Sequence, residues 1–194
     1  NQPVIQGLPQ VAPEDTIREV KRLTGRMVAI NLEPAAIKNN DEESVWDLTC
    51  GRQATVENAR KAADMGVDMI VLTGNPGVGV GNEAIIQALS KLKNAVGDKV
   101  ILTAGKMHAS GIISEAGEKI LTEKDVTDFV DAGADVILLP APGTVPGITM
   151  EYAGKLIKKA HEKGALAMTT IGTSQEGADE DTIRQIALMC KMAG

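Results

Sequence analysis

Glu33, Lys106 and His108 are the titratable residues of this 194-residue chain whose sequence settings suit proton transfer. Glu33 closes the run "MVAINLE" and is the only acid directly at the end of an apolar stretch of this kind. A carboxylate so placed fits a general base or a single metal ligand, against the commoner reading of a solvated loop acid beside Pro34. Lys106 and His108 stand two residues apart in "ILTAGKMHAS". If the backbone stays extended they project to one side, setting a cation beside an imidazole, a pair able to hold an anionic group and move a proton. Taken singly, they read as a loop lysine and a capping histidine. A Schiff-base role for Lys106 would need burial to lower its proton affinity. A divalent cation wants more oxygens than Glu33 supplies, so magnesium is expected only where the substrate, Asp47 or Glu115 adds to them. No site built from protein ligands alone is expected.

Anion-holding groups are the second candidate set. In "VLTGNPGVGVGNE", Gly77 and Gly79 lie in a loop that follows an apolar run and leads into a helix. A Walker loop would need Lys and Ser or Thr after its last glycine, and Gly81 is followed by Asn82. A dinucleotide fingerprint would need an acid at the tip of the next strand, and "KVILTAGK" has none. No nucleotide cofactor is therefore expected. An anion on the free N–H groups of the helix and a loop that merely needs positive φ angles explain the glycines equally well. Gly172, Thr173 and Ser174 in "TTIGTSQEG" form a second such loop, where hydroxyls and amides suit phosphate or simply cap a helix. Arg52 lies in the long segment from Pro34 to Ala54, which reads as a lid able to carry a guanidinium over an anion. Cys50 in the same segment is a weak nucleophile candidate, with no histidine adjacent to it in sequence.

These residues need a scaffold, and a repeat supplies it. "AADMGVDMIVLT", "VDAGADVILLP" and "AHEKGALAMTT" each carry a helix stopped at a glycine and followed at once by an unbroken apolar run, and "CKMAG" starts a fourth copy. A left-handed glycine ending a helix, then a strand covered on both faces, is a βα unit of a parallel sheet. Strands are expected near 3–6, 27–32, 68–73, 99–104, 135–140 and 165–170. Helix starts are signalled by Pro13 with Glu14 and Asp15, by Thr55, Asn82, Thr122 with Asp125, and Thr149, and by the acidic turn 179–181. Six units in 194 residues give about 32 residues each, so eight would need roughly 260, the usual size of a closed (β/α)8 TIM barrel. The expectation is a single α/β domain over 1–194 with about six βα units of such a barrel, its first and last strands missing. Edges left unpaired in this way make a homo-oligomer the expected state. In such folds ligands collect at the carboxyl ends of the strands, where Gln6, Asn31, Glu33, Thr73, Asn75, Thr103, Lys106, Thr144, Thr169 and Thr170 fall.

Composition narrows the classes. Aromatic residues make up 2%, with Trp46, Phe129 and Tyr152 the sole ones, too few for a base-stacking surface. A net charge of -6 without a basic run disfavours a phosphate-backbone partner, so no nucleic acid is expected. No apolar run reaches the roughly 18 residues that a bilayer span needs, and two separated cysteines fit a reducing cytoplasm.

At "GLPQVAPEDTIREVKRLTGR", "LTGNPGVGVGN", "ILTAGKMHASG", "GADVILLPAPGTVPGIT" and "TTIGTSQEGA" the chain resembles, along its whole length, a bacterial family whose members are labelled haloacid-dehalogenase-like hydrolases or relatives of phosphoenolpyruvate phosphonomutase. The second label implies a barrel. The Asp-x-Asp nucleophile motif that the first label requires is absent, and the acidic metal cluster of the mutase is matched nowhere. The residues and the resemblance together lead to an enzyme moving a proton on a small anionic, phosphorylated metabolite, as an isomerase or lyase. A hydrolase and a non-catalytic metabolite binder are the alternatives.

Overall fold

In the computed structural model, residues 14–34, 50–74, 80–108, 113–172 and 175–194 are described. Five parallel strands, β1 (Ala29–Asn31), β2 (Met69–Gly74), β3 (Ile101–Lys106), β4 (Val136–Pro140) and β5 (Leu166–Thr170), lie side by side in chain order. The helices are α1 (Thr16–Thr24), α2 (Val56–Asp64), α3 (Asn82–Val96), α4 (Glu123–Asp131), α5 (Met150–Glu162) and α6 (Glu180–Ala193). The strand expected near 3–6 lies outside the described residues.

The repeat read from sequence has the local geometry that its glycines imply. Gly25, Gly66, Gly133 and Gly164, which follow α1, α2, α4 and α5, all have positive φ, from 63° to 114°. Helix starts follow the side-chain signals. Thr55, Thr149 and Asp179 accept hydrogen bonds from the backbone N–H groups of Asn58, Tyr152 and Thr182, and Thr122 with Asp125 closes a capping box. Asn82 departs from expectation. Gly81 takes the capping position, and the Asn82 amide instead donates to Asp125 Oδ1 at 2.6 Å, tying the start of α3 to that of α4.

Strand register sorts the side chains into two faces. Ile70 and Leu72 pair with Leu102 and Ala104, and Ala104 with Ile137. These residues join the core with Ile85, Leu89 and Leu92 of α3, Phe129 of α4 and Leu156 of α5. This is the helix side, and each fully buried Leu or Ile contributes about 1.5–3 kcal/mol there. Asn31, Val71, Thr103, Val136 and Leu166 align across the opposite face, with Thr73, Gly105, Leu138 and Met168 one layer nearer the carboxyl ends. Gly105 is needed for spacing, since a β-carbon there would stand 1.8 Å from the Leu138 carbonyl oxygen.

At the opposite, amino ends of the strands two aspartates act as clamps. Asp68, just before β2, accepts from the Val28 N–H at 2.9 Å and from Lys21 at 2.7 Å. Asp135, just before β4, accepts from the Leu102 N–H and from Lys93 at the same two distances. Both stand two residues after a repeat glycine; in the third copy that position is Leu166, 68% exposed.

The Lys21 hydrogen bond first, then that from Val28, holds the Asp68 carboxyl below its ordinary pKa. A depressed carboxylate stabilises the fold above its unfolded pKa of about 4, and that contribution is lost as pH falls through the lower folded value. Asp68→Ala is thus expected to cost on the order of 1–3 kcal/mol at pH 7, roughly 2–4 °C of melting temperature per kcal/mol. The gap to the unaltered protein should narrow towards pH 3. Thermal unfolding of both at pH 7 and pH 3 checks this, and a gap of the same size at both values would contradict it.

Candidate active site

The carboxyl ends of β1 and β2 carry a connected set of polar side chains. Alternation past the end of β1 keeps Glu33 on the face of Asn31, because Leu32 continues the ladder by donating to the Val71 carbonyl at 3.0 Å and turns its own side chain into the core. The chain then returns alongside. Glu33 N–H donates to the Arg52 carbonyl at 2.7 Å, Ala54 N–H donates to the Glu33 carbonyl at 2.8 Å, and Glu33 pairs with Gln53 in a parallel bridge. The segment Cys50–Arg52 is a short 3-10 turn, and this backbone pairing fixes where its last residue sits.

The side chains form a relay. Thr73 Oγ1 donates to Asn31 Oδ1 at 3.1 Å, which orients the amide so that Asn31 Nδ2 donates to Glu33 Oε1 at 2.7 Å. The same oxygen accepts from the Arg52 guanidinium at 3.1 Å. Burial along the relay is uneven: the Glu33 side chain is 10% exposed and that of Arg52 56%. Glu33 Oε2 is buried with no hydrogen-bond partner among the described residues. A buried carboxylate oxygen lacking a donor is costly unless a proton or ligand completes it, which marks the group as a candidate for chemistry.

Lys106 and His108 do not share a setting. Lys106, the last residue of β3, pairs with Gly74 in register, which puts it on the helix side with Leu72 and Ala104 and on the face opposite Glu33. It is 2% exposed, and its stem lies over Gly74, where a β-carbon would stand 2.6 Å from Lys106 Cγ. His108 lies beyond the strand and is exposed. Of the anion candidates, Gly172 follows β5 with open space over its α-carbon, and Arg52 has the position given above. Gly77, Gly79, Thr173 and Ser174 lie outside the described residues, as do Asn75, Asp47 and the side chains of Cys50 and Glu115.

Among the described residues no three His, Cys, Asp or Glu side chains gather as a metal site, and no helix is long and apolar enough to cross a membrane. A cavity of about 1000 Å³ lies away from the relay, between α1, α2 and β1. Its walls include Ile17, Ile30, Leu32 and Val67 from the helix side, and it reaches neither Glu33 nor Lys106.

Solved structures place this arrangement in a wider frame. The chain is similar, at 18% identity and a TM-score of 0.55, to a "putative lyase/mutase" from Burkholderia cenocepacia, over 93% of this chain and 61% of that one. It is also similar, again at 18% identity and with a TM-score of 0.50, to dihydrodipicolinate synthase from Oceanobacillus iheyensis, over 88% of this chain and 51% of that one. The chain thus spans between half and two thirds of either neighbour. Its α/β architecture with a parallel sheet is TIM-barrel-like, as expected from the repeat. Neither neighbour is described as a haloacid dehalogenase or a phosphonomutase. No curated protein matches the sequence. A family model described as "Domain of unknown function (DUF7916)" matches residues 1–194.

The placement of Lys106 predicts its reactivity. Under reductive methylation its amine should react at least tenfold more slowly than that of Lys124, whose side chain is 81% exposed. Gly74→Ala, by pushing the stem aside, should narrow that difference. Peptide mass spectrometry reads both rates, and equal rates in the unaltered protein would contradict the burial.

Proposed function

The chain belongs to the DUF7916 family, and we propose that it carries the catalytic face of a barrel enzyme that moves a proton on a small anionic, phosphorylated metabolite, as a lyase or isomerase. The observation that carries this reading is the state of Glu33: one oxygen held by Asn31 and Arg52, the other buried and without a donor. A carboxylate oriented through one oxygen, with no donor occupying the other, is placed to act as a general base towards a carbon acid, and positioned general bases contribute about 10²–10⁴ in rate. Arg52, more than half exposed beside that carboxylate, offers a planar two-pronged donor to a phosphate or carboxylate of the substrate.

Lys106 has a supporting place in this reading. Its buried stem lies behind the tip of β2, at the end of the sheet that carries the relay and on the face away from it. His108, exposed at the end of β3, is within the chemistry only if the substrate reaches that far across the strand tips. The names of both structural neighbours, a lyase/mutase and a synthase, favour this reaction class over hydrolysis.

Proton abstraction is detectable without knowing the product. The protein is incubated in D2O with phosphorylated hydroxy- and oxo-acids, with and without magnesium, and deuterium entering a carbon–hydrogen bond is read by NMR and mass spectrometry. Glu33→Gln is expected to lower incorporation at least a hundredfold, and Lys106→Ala to lower it less. Incorporation undiminished in Glu33→Gln would remove Glu33 from the mechanism.

A further inference from the structure

The Glu33–Arg52 pair contains a conflict that the proposed function leaves open. Arg52 reaches Glu33 through one nitrogen while most of its guanidinium faces the rim. Its Nη2 is 3.1 Å from Glu33 Oε1, yet the side chain is 56% exposed, while the carboxylate it touches is 10% exposed. Glu33 is held independently of Arg52: Asn31 donates to the same oxygen at a shorter 2.7 Å, Thr73 fixes the Asn31 amide, and the Glu33 backbone is pinned on both sides by the 52–54 segment. Removing the guanidinium would therefore leave the carboxylate in place. Removing the carboxylate would leave the guanidinium without this acceptor at an exposed rim.

We infer that Arg52 is a shared cation, which an anionic group of the substrate takes over from Glu33, so that anion binding and the Glu33–Arg52 ion pair compete for one guanidinium. This rests on the catalytic reading above and adds a coupling between binding and chemistry within the same site. Before substrate arrives, the carboxylate lone pair on Oε1 is spent on Arg52 and Asn31. Once a phosphate or carboxylate engages Arg52, only the neutral Asn31 donor remains on Oε1. The acceptor site that Arg52 occupies on Oε1 is thus freed only when an anion of the right reach is present. An uncharged analogue would leave Arg52 on Glu33. Arg52 acts here as a specificity-determining residue, selecting anionic substrates by what they free as well as by what they bind.

Coupling of this kind is reciprocal, so it is measurable from the binding side without turnover. Inorganic phosphate and sulfate serve as probes in calorimetric titrations of the unaltered protein, Glu33→Gln, Arg52→Ala and the double variant. Glu33→Gln keeps the shape of the side chain and removes the competing charge, so it is expected to bind either anion about fivefold or more tightly. Arg52→Ala should lose at least tenfold in affinity, and in that background Glu33→Gln should change nothing. In the unaltered protein, the Arg52 side-chain ¹⁵N resonances should move as phosphate is added, a readout that does not depend on any variant folding well. Equal affinity in Glu33→Gln and the unaltered protein, anion binding retained in Arg52→Ala, or Arg52 resonances unmoved at saturating phosphate would each overturn the inference. Its failure is separable from that of the catalytic reading. Deuterium incorporation that needs Glu33 but no competition for Arg52 would sink only the coupling, and competition without incorporation would sink only the reaction.

Discussion

A parallel strand covered on both faces can bury apolar side chains along its length, but a polar one is affordable only where hydrogen-bond partners are at hand, which in practice means the strand ends. Here that constraint divides the molecule by function. The amino ends carry Asp68 and Asp135, each spending its carboxylate on a neighbouring strand's N–H and on a lysine. The middles are apolar apart from Thr103 of β3, which is fully buried with its hydroxyl unpartnered among the described residues. The carboxyl ends carry Asn31, Glu33, Thr73 and Lys106. At one end each carboxylate is held by a backbone N–H and a lysine. At the other end, at least one, Glu33 Oε2, is left incomplete among the described residues.

The same constraint explains why the two strongest candidates are separated by the sheet. Parity along a strand is strict, so Lys106, aligned with Gly74 and sharing the parity of Ala104, falls on the helix side, whereas Glu33 shares the parity of Asn31 and faces the other way. The absence of a side chain at Gly74 gives the Lys106 stem its resting place. Lys106 sits at the very end of β3, and its long apolar stem packs over the glycine.

Much of the fold was legible because the repeat combines two signals that do not depend on tertiary context. A glycine at the end of an amphipathic helix needs positive φ, and an apolar run of five or six residues after it fits only a doubly covered strand. β2 to β5 fall within two residues of their expected positions, and the caps at Thr55, Thr122 and Thr149 follow from side-chain chemistry alone. The aspartate clamps were also present in the repeat, as the acid after "GV" and "GA", but their hydrogen bonds run to the preceding strand and have no local signature. The site was legible only in part. Glu33 and Arg52, 19 positions apart, could be singled out as candidates, yet nothing between them announces that the chain returns to pair Gln53 with Glu33. Nor did spacing alone show that Thr73 and Asn31, 42 residues apart, orient that carboxylate. The expectation that Lys106 and His108 share one side needs extended backbone past residue 106, where β3 ends.

The proposed chemistry requires an anion to meet Arg52 beside Glu33 at the carboxyl ends of β1 and β2. Diffraction from crystals soaked in selenate, a phosphate-like ion whose selenium scatters anomalously, locates such an ion directly. The predicted result is an anomalous peak within hydrogen-bonding distance of the Arg52 guanidinium, with Arg52 displaced from Glu33 Oε1 and Asn31 still donating to it. Selenate found only elsewhere, with the Arg52–Glu33 pair intact at high selenate concentration, would contradict it.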